Sequence, residues 1–158
     1  MAEIHWPARY RPDATRVHVR NELALDAPAE RVWAWLIRAS SWPDWYPNAS
    51  DVRIAGGGRD LAPGVQFTWR TFGTTVSSVV EEFVPPERIG WTGKGFALDV
   101  YHAWLIEPRG NGCTVLTMEN QNGLAARLQA ALMPNRMHKH HQIWLERLAA
   151  KARSGLPP

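Results

Sequence analysis

A helical run from about Leu124 to Ala152 dictates what the rest of the chain must do. At about 1.5 Å of rise per residue, such a run is roughly 40 Å long, enough to cross a domain. Met137, Trp144, Leu145, Leu148 and Ala152 fall at helical spacing and form one apolar stripe, with His141 inside it. Pro134 lacks an N–H, and its ring crowds the carbonyl of Ala130, so the run is expected to bend or break there. A helix with one apolar face needs a wide apolar surface to grip.

The preceding chain reads as that surface. Between Arg16 and Leu25, Val17, Val19, Leu23 and Leu25 alternate with Arg16, His18, Arg20 and Glu22, the period of a half-buried strand; Asn21 interrupts its inner face. Asp26-Ala27-Pro28-Ala29-Glu30 opens a helix, with Asp26 or Ala27 as the expected cap, proline in the first turn and Glu30 complementing the dipole. Residues 32–37 are apolar almost all round, so this helix is expected to be buried on more than one side. Trp42-Pro43-Asp44-Trp45-Tyr46-Pro47 is a rigid aromatic connector. Strands then follow at 51–55, 65–72, 74–84, 88–92, 96–107 and 113–121. They are separated by Gly56-Gly57-Gly58, Gly73, Pro85-Pro86, Gly93-Lys94-Gly95 and the Pro108–Gly112 turn. The glycine triplet is read as a loop, because no Gly-Lys-Ser/Thr follows it. Connections this short imply antiparallel hairpins, hence an α+β fold with a curved sheet of six to seven strands folded over helices. An irregular arm (1–14), one domain (15–152) and a short tail (153–158) are expected.

Composition narrows the function classes. Apolar residues make up 45% and charged residues 21%, a globular balance. The net charge of +3 is modest and the basic residues are scattered, which argues against nucleic acid as a partner. A lone Cys113 rules out an intramolecular disulfide and points to a reducing, cytoplasmic setting. The sequence holds no apolar run of about 18 residues for a membrane span, and its N-terminal stretch lacks a signal-peptide core. Nine tryptophans are more than a tight core of this size readily absorbs, since each indole N–H wants a partner; some are expected to line a cavity or an interface.

Several segments together resemble the START-like (SRPBCC) superfamily, which includes polyketide cyclase/dehydrase-like proteins and birch-pollen-allergen relatives. They are Leu23 to Trp33, the Trp42–Pro47 connector, Pro63-Gly64-Val65-Gln66-Phe67, Val79 to Ile89, Trp104-Leu105-Ile106-Glu107-Pro108 and Gly112-Cys113-Thr114-Val115. The closing amphipathic helix completes the resemblance, which covers about residues 15–152. It implies a helix-grip fold, an antiparallel sheet wrapped around the C-terminal helix with a cavity between them. It implies no single function.

In such a cavity the expected ligand-binding residues are Trp45, Phe67, Trp69, Trp91, His102, Trp104, Met137, His141 and Trp144. Alternation puts His102 in register with Val100, Trp104 and Ile106, whereas Tyr101, Ala103 and Leu105 make a second apolar face that an oligomer contact or the packed arm would have to cover. Polar groups in an apolar pocket orient ligands, and burial moves their pKa values, so Asn21, His102, Glu119 and His141 are the groups to follow. The expected function is binding of a hydrophobic or aromatic small molecule. The alternatives are a polyketide cyclase/dehydrase-type enzyme using His102 and Glu119 as acid–base groups, and a protein-interaction domain. His138 and His141, three apart, share a helical face, but Lys139 beside them opposes a cation, and neither a metal nor another cofactor is expected. Cys113 has no cationic or histidine neighbour in sequence and is not expected to be a nucleophile. A homodimer is left open.

Overall fold

The structure, a computed structural model, describes residues 3–158; the first two residues of the expected arm lie outside the described residues. Seven strands form one antiparallel sheet: β1 (Val17–Leu25), β2 (Ser50–Ile54), β3 (Gln66–Thr71), β4 (Thr74–Val84), β5 (Arg88–Gly95), β6 (Leu98–Arg109) and β7 (Gly112–Asn122). Their spatial order is β1-β7-β6-β5-β4-β3-β2, so β2 to β7 follow one another as a meander and β1 closes onto β7. Helices α1 (Ala29–Ile37) and α2 (Trp42–Trp45) join β1 to β2, and α3 (Leu124–Leu132) and α4 (Arg136–Ser154) follow the last strand. This is the helix-grip architecture: α4 lies against the sheet and buries Met137, His141, Trp144, Leu145, Leu148, Ala149 and Ala152. The expected stripe is therefore the face that the sheet grips.

The buried face of β1 carries Asn21, whose Nδ2 donates to the His138 carbonyl (3.1 Å) and to Gln142 Oε1 (3.2 Å). That polar interruption ties β1 to α4 and does not line a cavity. On the opposite face of the sheet, Tyr101 and Ala103 are covered by the N-terminal arm. Tyr10 stacks on Tyr101 at 5.6 Å and Trp6 meets the same ring edge-on at 5.7 Å. Tyr10 Oη donates to Asp99 (2.7 Å), and Asn120 Nδ2 donates to the Tyr10 carbonyl (2.8 Å). The second apolar face thus has its cover within the chain.

The C-terminal run breaks into two helices at Pro134, between Leu132 and Arg136, where a bend or break is expected. Three other boundaries differ from the sequence reading, each for a local reason. Helix α1 is capped by neither Asp26 nor Ala27: its N-cap is Pro28, extended at φ −60° and ψ 147°, whose carbonyl accepts from the Arg31 and Val32 N–H groups. Strand β5 runs on through Gly93-Lys94-Gly95, and the turn comes later, at Phe96-Ala97. Gly93 is required by close approach: a Cβ there would lie 2.9 Å from Val100 Cγ2 and 3.0 Å from Val76 Cγ1. Strand β6 continues past Pro108. Ile106 N–H donates to Glu87, on the β5 side, and Pro108 has the same orientation but lies beyond the start of β5, so its missing N–H costs no ladder bond.

Candidate functional site

A cavity of about 260 Å³ lies between the inner sheet face and α4, with α3 and the β5–β6 turn at one end. Aromatic rings share its walls with aliphatic and polar side chains. Trp69, Trp91 and Trp144 line it, as do Tyr46 and Phe72. Trp144 stacks on Tyr46 at 4.3 Å, and behind them Trp42 packs edge-on or tilted against Phe67, Trp69, Trp91 and Trp144. The tryptophans thus serve both ends expected of them: some fill the core, and some turn a face to the cavity.

Of the residues expected at the ligand, Trp69, Trp91, His102, Met137, His141 and Trp144 line the cavity, and Trp45, Phe67 and Trp104 are not in its walls. Trp45 is held on α2 by a hydrogen bond from Nε1 to Ser41 Oγ (3.0 Å). Phe67 is buried edge-on against Trp42 and Trp91. Trp104 packs against His102 and Trp144, one layer back. For Phe67 and Trp104, strand alternation assigns a face of the sheet but not which part of that face the helix covers, and Trp45, on α2, has no strand period to place it.

The polar groups converge. His102 on β6 is directly paired with Glu119 on β7, and α4 brings His141 down on both. Glu119 Oε2 lies 3.2 Å from His102 Nδ1 and 3.3 Å from His141 Nε2, and the two imidazoles stack at 4.8 Å with 15° between their planes. All three residues are buried. Behind them, His102 Nε2 is 2.7 Å from Thr117 Oγ1, and Gln121 Nε2 donates to Glu119 Oε1. Thr117, Glu119 and Gln121 alternate along β7, so one face of one strand supplies both the carboxylate and its supports. Among the described residues, Glu119 is the only carboxylate in the cavity wall, and no lysine or arginine lines it.

The electrostatics assign the protons. Burial pushes the His102 imidazole down to about 3, with His141 acting the same way and Glu119 against it, so the ring is neutral. A neutral ring with its proton on Nδ1, facing the carboxylate, leaves Nε2 to accept the Thr117 hydroxyl, and both nitrogens are then satisfied. Burial alone would raise the Glu119 carboxyl, but the hydrogen bond from His141, the pull of both imidazoles and the Gln121 hydrogen bond outweigh it and hold it at about 2. His141 donates through Nε2, and its Nδ1 has no partner although it is buried. The indole N–H of Trp144 is likewise buried without a partner. Gln121 Oε1 and Gln129 Nε2, also on wall residues, are buried without partners too, so two acceptors and two donors on the cavity's residues are unmatched within the chain.

His102, Glu119 and His141 bring ligand atoms within 4.8 Å of one another, the spacing of a cation site. The ring geometry fits a metal poorly. A metal sits in the plane of each imidazole that binds it, and stacked, near-parallel rings hold their lone pairs side by side without a shared point. His138 and His141, three apart on α4, do not share a site, because His138 is exposed while His141 is buried. Cys113 is buried, and burial pushes its thiol up to about 11, far from a nucleophile's range.

Sequence reasoning missed Tyr46, Ser78, Gln121 and Gln129 as wall residues. Gln121 had a signal, lying two residues beyond Glu119 on the same strand face. Tyr46, in the proline-rich connector, had none.

Comparison with known proteins places this arrangement. The family model for polyketide cyclase/dehydrase and lipid transport matches residues 16–153. A hypothetical protein of Helicobacter pylori, solved at 1.88 Å, is 34% identical, covering 97% of this chain and 98% of its own, with a TM-score of 0.90. The Zhui aromatase/cyclase of a Streptomyces species is 15% identical over 87% of this chain and 93% of its own, with a TM-score of 0.70. Norcoclaurine synthase of Thalictrum flavum, solved with a transition-state analogue, is 12% identical over 87% and 94%, with a TM-score of 0.67. These last two likenesses are of fold alone. No curated protein matches the sequence.

Proposed function

The chain belongs to the polyketide cyclase/dehydrase and lipid transport family, and on that premise we propose that its cavity binds a small hydrophobic or aromatic molecule carrying an oxygen. The carrying observation is an aromatic cavity of about 260 Å³ with an unpartnered acceptor, His141 Nδ1, and an unpartnered donor, Trp144 Nε1–H, on residues of its wall. An apolar cavity of about 150 Å³ takes benzene, so this one suits two fused rings. 1-Tetralone, two rings and one carbonyl, is a direct probe. Titrated into the protein, it should change tryptophan fluorescence saturably with one site per chain. A response that rises linearly with no saturation sinks the reading.

The convergence of His102, Glu119 and His141 supports a second reading, acid–base chemistry of the cyclase/dehydrase type. His141 Nδ1 would take a proton from the carbon next to the ligand's carbonyl. The C–H electron pair moves into an enolate, and the Trp144 N–H donates to the oxygen where charge collects. Glu119, ionised beside it, stabilises the imidazolium that forms. In a β-hydroxy ketone the enolate then expels hydroxide, which the same proton converts to water. The probe for the first half of this sequence is exchange of the α-hydrogens of 1-tetralone in D2O, followed by proton NMR. Exchange above the buffer rate that His141→Gln abolishes supports the chemistry. Saturable binding with exchange at the buffer rate leaves a carrier.

A further inference from the structure

Helix α3 is amphipathic the wrong way round for a helix at a protein–water surface. It packs inward through small or polar residues: Ala126 is buried, and Ala125 and Gln129 line the cavity. Outward it presents Leu124, Leu128 and Leu132, 62%, 53% and 76% exposed, spaced four apart and so aligned along one face. Met133 continues this face, and across the cavity end Phe96, on the β5–β6 turn, is 91% exposed. The Ala125 N–H donates to the Ala97 carbonyl (3.1 Å), so the helix and the turn are bound together as one rim. A surface helix normally buries its large apolar residues and wets its small ones. Here the large apolar residues gather around one end of the ligand cavity, and a cluster of this kind marks a contact surface.

The charge around the rim selects what makes that contact. From Gly123 to Leu145 the chain has no aspartate or glutamate; Arg127 is exposed on α3, Arg136 lies 4.0 Å from Met133 Sδ, and Lys139 is exposed in the first turn of α4. We propose that this rim docks on an anionic lipid bilayer, with the leucines of α3 and Phe96 in the acyl–headgroup boundary and the three cations among the headgroups. A second copy of the chain suits the rim less well, since a two-fold contact would bring these cations against their own counterparts. A nucleic acid would meet the cations but leave the leucines in water. Docked this way, the end of the cavity bounded by α3 faces the membrane, the phase in which a hydrophobic ligand is most concentrated. The docking itself does not depend on the ligand assigned above and would stand with the cavity empty.

Vesicle sedimentation tests this directly. The full chain is mixed with vesicles of phosphatidylcholine alone and of phosphatidylcholine with phosphatidylglycerol in equal parts, at low and high salt. It should pellet with the anionic vesicles at low salt, and binding should fall with added salt and without the anionic lipid. Burying a leucine is worth about tenfold in partition. The double variant Leu128→Ser, Leu132→Ser should therefore bind at least about tenfold more weakly, while its circular dichroism stays that of the parent and its melting curve close to it, because both side chains are more than half exposed. Failure to pellet with anionic vesicles at low salt overturns the proposal, and so does equal binding by the double variant. A dimer in sedimentation velocity that the double variant disperses would assign the rim to a second copy instead.

Discussion

Glu119→Gln exposes the logic of the buried cluster most sharply. The carboxylate serves three donors, with Oε2 near both imidazoles and Oε1 accepting from Gln121. A glutamine keeps the shape but offers one acceptor and one donor group. If its oxygen faces the imidazoles, its NH2 meets the Gln121 NH2; if it is flipped, its NH2 meets the histidine N–H groups. Either way buried donors face each other, at a cost of about 1–3 kcal/mol for each unsatisfied group. Relief from burying a charge offsets part of this. The net loss should be about 2–4 kcal/mol at pH 7, or roughly 5–15 °C in melting temperature for a chain of this size. The assay is urea or thermal unfolding as a function of pH. Glu119 is held at about 2 when folded against an ordinary 4.5, so its contribution is complete above pH 4.5 and is lost as pH falls toward 2. His102, neutral and held at about 3 against an ordinary 6.5, contributes above pH 6.5 and loses that contribution as pH falls toward 3. Both proteins should weaken below pH 6.5, and the gap between them should narrow below pH 4.5. A variant as stable as the parent at pH 7, or a gap that widens in acid, would refute the ionised carboxylate and the cluster built on it.

Other expectations rest on single contacts. Tyr10→Phe removes the hydrogen bond to Asp99 (2.7 Å) and should cost about 1 kcal/mol, with earlier proteolysis of the N-terminal arm; equal resistance to protease would mean that stacking on Tyr101 holds the arm alone. Leu148→Ala, at a fully buried site on α4, should cost about 2–5 kcal/mol in urea unfolding, and a smaller loss would show that the core collapses around the gap. Cys113, buried with its thiol pushed up to about 11, should react with a disulfide reagent only as fast as the protein unfolds. Immediate labelling would place it at the surface.

Much of the fold was legible because the turn signals coincide with the ends of ladders. The Pro85-Pro86 stop, the Val17–Leu25 alternation and the Met137–Ala152 stripe all carry over directly into β4, β1 and α4. Gly93 was misread as a turn because glycine's two uses, positive φ and close approach, look identical in a sequence. The site was legible in its parts. His102 sits on an apolar strand face and His141 lies inside the helix stripe, whereas Glu119 has Thr117 and Gln121 beside it on its own face. What one-dimensional spacing could not supply was the register that sets His102 opposite Glu119, or the placement of α4 that brings His141 onto both. The cover over Tyr101 was equally unreadable, because it depends on where an arm with no periodicity lies down.

In the proposed reading, the space between sheet and helix, lined by tryptophans and ended by the His102–Glu119–His141 cluster, receives a small oxygenated aromatic. A crystal structure of the protein soaked with 1-tetralone measures this most directly. One molecule is expected between Trp91, Trp69 and Trp144, its carbonyl toward the Trp144 N–H or its α-carbon toward His141 Nδ1. A cavity filled by repacked side chains, with the ligand absent or bound only outside, would contradict it.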